Sequence, residues 1–181
     1  MRCHIFKTAF GWCGLAWSDA GVARTVLPST SENEARRGIT AKAPNAAEEA
    51  PDALAGQIVT KMQRYFEGER EDFSEVPLDL GQMPPFNRAI YTAARALRYG
   101  ETTTYGGLAA RAGFPTASRE TGVAMGRNPV PLIVPCHRVL AAGGKLGGFS
   151  APGGVLTKQR MLALERARPP ASDPAQESFA F

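Results

Sequence analysis

Cysteine is scarce in this chain: Cys3, Cys13 and Cys136 are three among 181 residues, an odd set with no framework spacing. A disulfide-stapled fold is thereby excluded. Long apolar runs are missing too, since no stretch approaches the roughly twenty residues a membrane span needs. Near Met1, Lys7 and Gly11 break the apolar character, so no secretory signal is read. Together these absences predict a soluble protein in a reducing, cytoplasmic setting. Cys3, His4, Cys13 and His137 show no standard ligand spacing, and no metal is expected, although the first three could meet in a hairpin. There is no internal repeat. A chain of this length buries a core without staples, as one ordinary domain or two small ones.

Acids are scarce in one half. Asn87 to Arg168 carries twelve Lys or Arg against three acids, Glu101, Glu120 and Glu165, whereas Met1 to Phe86 carries nine against twelve. The net charge of +4 therefore conceals a basic half joined to a mildly acidic one. Such asymmetry is expected where one part meets a polyanion. A scattered, solvated basic surface gives the same count, so charge alone leaves nucleic-acid binding open.

Short β-like runs alternate with turn signals at the start: Cys3 to Thr8, Leu15 to Ser18, the turn Asp19-Ala20-Gly21, then Val22 to Leu27. They predict a small antiparallel sheet. Ser31 and Glu34 have capping-box spacing, so a short helix follows. Residues 41–51, rich in Ala, Glu and Pro without periodicity, read as an exposed, flexible loop. Leu54, Ile58, Met62 and Phe66 recur four apart and predict an amphipathic helix over Ala53 to Glu67. Phe73 to Gly81 is an extended connector, and a boundary between halves falls at Gly81 to Pro85. Beyond it, Phe86, Ile90 and Leu97 mark a helix from Pro85 to Arg98, ending at Gly100. Thr104 can cap a helix from Tyr105 to Ala112, Gly113-Phe114-Pro115 turns the chain, and Ser118 starts a third helix to about Arg127. Two short helices across a glycine-containing turn fit a helix-turn-helix, though a generic helical hairpin has the same pattern. A wing at Lys145 to Phe149 and a final helix from Leu156 to Arg168 complete the pass.

The chemistry concentrates at Pro135-Cys136-His137-Arg138-Val139, between the apolar run Val130 to Val134 and the glycine-rich segment Gly143 to Gly148. Thiolate is the reactive form of cysteine, and cationic or hydrogen-bonding neighbours lower its pKa, so a Cys flanked by His and Arg is a candidate nucleophile. An inert buried thiol is the plainer alternative. A base that serves a nucleophile needs a group to orient it. Glu165 is the nearby carboxylate of the basic half, unless it is merely a surface acid.

Thr104-Tyr105, Ser118-Arg119, Asn128-Pro129-Val130-Pro131 and Pro135-Cys136-His137-Arg138-Val139, in that order, resemble the alkylguanine-DNA alkyltransferases, strongly from about Met83 to Glu165 and faintly before. The fold implied is a small α/β RNase H-like domain over 1–81 and a mainly α, winged helix-turn-helix domain over 82–168, followed by a tail over 169–181. The activity implied is single-turnover, irreversible transfer of an alkyl group to Cys136 from the O6 of guanine in duplex DNA, with thymine O4 as a second candidate position. Cys136 would be the acceptor and His137, oriented by Glu165, would take its proton through a water. Asn128 would fix the turn into the active-site strand, and Tyr105 would hydrogen-bond the departing guanine. Ser150, Phe149, Arg138 and Val139 would complete the substrate pocket, with the backbone at Cys136 and Val139 reading the base edge.

A base inside a duplex must be flipped out to react. The resemblance makes Arg119 the residue that fills the gap, with small Ala117 and Ser118 letting their helix approach the minor groove and Arg111 and Arg127 touching phosphates. It implies no cofactor and no membrane partner, a monomer, and a cytoplasmic protein working at the nucleoid; the zinc that some relatives carry is not expected here, because the N-terminal half matches only loosely. Three other classes remain: a relative that binds damage without repairing it, a winged-helix transcription regulator, and a cysteine hydrolase.

Overall fold

The computed structural model describes residues 1–168, so the tail expected at 169–181 lies outside the described residues. Three strands open the chain, β1 (Arg2–Thr8), β2 (Gly11–Ser18) and β3 (Gly21–Ser29), paired antiparallel in sequence order with Cys3 opposite Ala16 and Leu15 opposite Thr25. Strand periodicity sorts their side chains. Cys3, Ile5 and Ala16 face helix α1 (Glu32–Thr40) and its Ala35 and Ile39, while Phe6, Cys13, Leu15 and Trp17 enter the main core. Cys3 and Cys13 are thus on opposite faces of the sheet, and the hairpin does not bring them together. Gly21, at φ +138°, is required at its turn, because a Cβ there would stand 2.5 Å from the Pro77 carbonyl oxygen. The 73–81 connector lies against β3 at that point, with Val22 N–H donating to Pro77 O at 2.8 Å.

Ser31 caps α1 by accepting from the Glu34 amide at 3.2 Å, but the Glu34 carboxylate turns to the Thr30 amide and hydroxyl rather than to Ser31. The stretch expected to be a loop over 41–51 also departs from that expectation. Ala47–Glu48 forms β4, parallel to β1, and completes a sheet of order β3-β2-β1-β4, while Ala43 is buried. Two residues are too few for any alternation to show.

Helix α2 (Ala53–Phe66) is capped by Asp52, which accepts from the Ala55 amide and from Trp17 Nε1, each at 2.9 Å. One residue thereby ends the helix and ties it to β2. Ile58, Met62, Tyr65 and Phe66 are buried; Leu54, in the first turn, is exposed, contrary to the four-apart reading. Burial of each large apolar side chain contributes about 1.5–3 kcal/mol.

In the second half, α3 (Pro85–Arg95) stops short of Gly100, and Leu97 is buried beyond its end. Strand β5 (Thr103–Thr104) pairs parallel with β6 (Val139–Leu140) and leads into α4 (Tyr105–Arg111), where Thr104 Oγ1 accepts from the Gly107 amide at 3.0 Å. Helix α5 (Ser118–Gly126) packs on α4. The wing expected at Lys145 to Phe149 does not form as strand. Gly143 and Gly144 before it and Gly147 within it adopt positive φ, and Ala141 N–H closes a turn onto Lys145 O at 2.8 Å; Lys145 itself is extended, but no strand pairs over 145–149. Helix α6 (Gly154–Leu164) begins earlier than expected and buries Thr157, Lys158 and Met161, leaving Leu156 exposed. One core runs through both halves, joining Leu15, Trp17 and Tyr65 to Ile90, Val139 and Met161. Among the described residues, no helix is long and apolar enough to cross a membrane.

Candidate active site

The segment before Cys136 is held from two sides. Asn128 Nδ2 donates to Val134 O at 2.8 Å, and Val130 N–H donates to Asn128 Oδ1 at 3.0 Å. From β3, Thr25 Oγ1 donates to Pro131 O at 2.7 Å and Thr25 N–H to Pro129 O at 3.1 Å. Between these anchors Leu132 takes φ +79°, a conformation that costs a non-glycine residue about 1–3 kcal/mol and persists only when its surroundings fix it. Asn128→Ala removes both of its bonds and leaves buried backbone groups unpaired. A loss of about 2–4 kcal/mol is expected, read as the drop in unfolding free energy in urea.

Cys136 opens a single 3-10 turn, Cys136–Arg138, and its thiol is buried. Burial pushes its pKa up, while the Asn128 side chain and the Lys158 ammonium oppose that rise. The resting sulfur is therefore a thiol that requires a base. His137 is fully buried, with Nε2 2.7 Å from Glu165 Oε1. That oxygen also accepts from Tyr65 Oη at 2.8 Å and Arg138 Nη2 at 2.9 Å. The other oxygen, Oε2, accepts from Arg138 Nε and the Gly100 amide, both at 2.9 Å.

Burial by itself would raise the Glu165 pKa, yet its bonds to His137 and Arg138 hold the carboxyl far below the ordinary range. Burial pushes His137 the other way, below the usual imidazole value, against the pull of Glu165. The charge opposite Glu165 is thus the Arg138 guanidinium, and His137 is a neutral ring donating from Nε2. Its Nδ1 then carries the free lone pair, and this buried atom has no hydrogen-bond partner among the described residues.

Beside Cys136 is a cavity of about 130 Å³, walled by Asn128, Met125, Phe149 and Ser150 and, from the N-terminal half, by Thr25 and Lys42. Its size is on the scale of one aromatic ring, since a cavity of roughly 150 Å³ accepts benzene. Phe149 and Ser150 line it as expected, although Ser150 Oγ is already donating to Gly126 O at 3.1 Å. Arg138 does not belong to it. The guanidinium turns inward to Glu165 and the Leu97 carbonyl, because adjacent side chains in a tight turn diverge. Val139 does not line this cavity: its side chain is fully buried, and its carbonyl, the backbone group expected to face the base edge, accepts from Lys158 Nζ at 2.6 Å. Tyr105 is half-buried, with Lys158 Nζ 5.9 Å from its ring; burial first, then Cys136, raises its pKa.

The side chains expected to meet DNA are spread along and beyond α5. Ser118 and Arg119 are exposed at its N-terminus, preceded by half-buried Ala117, and Arg127 is exposed at its far end. Arg111 lies apart, paired with Glu101 at 2.8 Å in a cleft it shares with Arg98 and Arg168.

Three contributors escaped sequence reading. Tyr65 follows Ile58 and Met62 by seven and three positions, so the helical pattern contained it; an aromatic with a polar tip on a core face is the signal of a buried hydrogen bond. Lys158 stands three before Met161 and seven before Glu165, a lone cation on the inner face of α6. Burial lowers its pKa to about 8. Thr25 belongs to a strand and carries no local sign of its bond across to Pro131. Among the described residues, no group of three or more His, Cys, Asp or Glu is placed to hold a metal ion.

Comparison with known proteins agrees with this geometry. Residues 1–80 match the model of the 6-O-methylguanine DNA methyltransferase ribonuclease-like domain, and residues 85–167 match that of the same family's DNA binding domain. A methylated-DNA-protein-cysteine methyltransferase of Mycolicibacterium paratuberculosis is 45% identical over 124 residues, 68% of this chain and 72% of the relative. A crystal structure of Mycobacterium tuberculosis OGT in complex with DNA superposes with a TM-score of 0.76 at 32% identity, covering 94% of this chain and 96% of that one. An O6-methylguanine-DNA methyltransferase from Pyrococcus kodakaraensis shares the fold, with a TM-score of 0.73 at 23% identity over 91% of this chain and 99% of that one. With the two family domains matched in order, and a buried His137, in the turn that carries Cys136, paired with Glu165, the chain belongs to the 6-O-methylguanine DNA methyltransferase family.

Proposed function

We propose that this protein repairs duplex DNA by moving an alkyl group from the O6 of guanine to Cys136, once per molecule. The observation that carries this reading is the buried Cys136 thiol at a ring-sized cavity, followed in the same turn by a buried His137 whose Nδ1 has no hydrogen-bond partner among the described residues. The thiol proton passes through a water to His137, and the sulfur attacks the alkyl carbon in line. The S–C bond forms as the C–O6 bond breaks, and the bonding electrons leave with guanine, whose charge Tyr105 stabilises by a hydrogen bond. The thioether formed is a poor leaving group, so the chain is spent.

Under this reading residues 1–81 form the ribonuclease-like domain and 82–168 the DNA-binding domain, with α4 and α5 as a helix-turn-helix. The protein acts as a monomer, and α5 lies at the minor groove with Arg119 in the gap left by the flipped base. Loss of the Arg119 side chain withdraws part of what offsets a flipping cost of a few kcal/mol. Arg119→Ala is expected to slow repair of duplex by about 10- to 100-fold, the equivalent of roughly 1.4–2.8 kcal/mol, while reaction with a free O6-alkylguanine base keeps its rate. Equal slowing on both substrates contradicts the role.

The reaction class is tested by incubating the protein with excess duplex carrying one methylated guanine and following its intact mass. One methyl per chain, then arrest, is expected. Continued turnover identifies a hydrolase, and an unmodified protein that still binds the duplex identifies a damage-recognition or regulatory protein.

A further inference from the structure

From the N-terminal half, α2 sends one side chain into the cluster around Glu165. Tyr65 is fully buried, and its hydroxyl donates to Glu165 Oε1 at 2.8 Å, the same oxygen that meets His137 Nε2. The phenol oxygen is 3.4 Å from that nitrogen. Its ring is fixed by edge contacts with Phe66, Phe73, Tyr99 and His137, at centroid distances of 5.0–6.4 Å. Packing of this kind orients the hydroxyl without its help. A structural hydroxyl needs only one acceptor; this one is aimed at the carboxylate oxygen that orients the base.

We propose that Tyr65 is a positioning residue of alkyl transfer, its hydroxyl holding Glu165 Oε1 in the place and charge state against which His137 is oriented. The inference rests on the reading of His137 as the base. The charged and titratable groups around that ring are Glu165 at the end of α6, Arg138 in its own turn, Lys158 on α6, Tyr65 on α2, and Tyr99 behind Tyr65; Cys136 precedes it in the chain. Oε1 shares its negative charge among Tyr65, Arg138 and His137. Withdrawal of the phenol leaves more of that charge to the imidazole, which favours the protonated ring. A protonated His137 cannot accept the thiol proton. The predicted consequence is a pH-dependent defect: slow transfer in mildly acidic solution that recovers as the pH rises and the ring loses its proton.

Tyr65→Phe keeps the ring contacts and removes only the hydroxyl. Two measurements are made on this variant and the native chain: the single-turnover rate with a methylated duplex from pH 6 to 9, and nitrogen NMR of the His137 imidazole over the same range. The expected result is a variant about 3- to 10-fold slower on the acidic side and equal to the native chain on the alkaline side, with the imidazole titrating at correspondingly higher pH. A rate profile that superimposes on the native one, or falls equally at every pH, overturns the proposal, as does an unchanged imidazole titration. Failure of the native chain to take a methyl group at any pH overturns the reading of His137 instead, and the NMR titration still reports whether Tyr65 acts on the ring. A melting curve of each protein separates loss of fold from loss of positioning.

Discussion

Cys136→Ala is expected to abolish methyl transfer from a methylated duplex while duplex binding remains. The sulfur is the atom that forms the new bond; among the described residues no other thiol lines the cavity, and the Ser150 and Thr25 hydroxyls there already donate to Gly126 O and Pro131 O. The exposed groups available to phosphates, Arg119 and Arg127 among them, lie on or beside α5 and do not depend on the thiol. The other cysteines cannot substitute. Cys13 is packed in the main core with its thiol pushed up to about 12 by burial, and Cys3 faces α1, its sulfur directed at the Ala46 carbonyl. Cys13→Ala should therefore leave transfer intact. Methyl transfer that persists in Cys136→Ala contradicts the assignment, and loss of both transfer and binding assigns the cysteine to the fold rather than to the chemistry.

Arg138→Met carries the largest expected stability effect. The guanidinium makes two bonds to Glu165 and one to Leu97 O, and its removal leaves a buried carboxylate without its compensating cation. Breaking a buried pair from one side costs about 3–5 kcal/mol, read here as a lower urea midpoint. The double variant Arg138→Met with Glu165→Gln is expected to recover part of that loss, since the uncompensated charge is gone. The pH dependence has a definite sign. The Glu165 carboxyl titrates lower in the fold than in the unfolded chain, so its contribution is complete above the unfolded value of about 4.3 and is lost as the pH falls below it. A loss under about 1 kcal/mol in Arg138→Met contradicts this picture of the pair, because that is the range of an exposed ion pair.

The legible parts of the fold were those whose signal is local. Helix α2 shows its inner face at four-residue spacing, Thr104 and Ser31 announce helix starts, and the β1 to β3 meander alternates with glycine turns. Strand β4 was illegible because it owes its existence to β1 rather than to its own two residues. Leu54 and Leu156 match helical spacing yet face outward, since a first turn can overhang the surface it packs on.

The candidate site divides in the same way. Cys136, His137 and Glu165 were read from residue type and order. The resemblance put Arg138 at the pocket, whereas the turn sends its guanidinium to Glu165 instead. Thr25 and Tyr65 reach the site across 106 and 72 positions, to Pro131 and His137, and sequence spacing holds no trace of such contacts. Those long-range bonds tie the N-terminal half to the His137 ring and to the strained Leu132 turn, so a candidate site assembled on the C-terminal half is completed by the other.

The most direct measurement is a peptide map of the native protein after reaction with a duplex carrying one methylated guanine. The predicted result is a single methyl on the peptide containing Cys136 and none on those containing Cys3 or Cys13. A methyl on either of the latter, or none on any cysteine from a duplex that has lost its methyl group, would contradict the assignment of Cys136 as the acceptor.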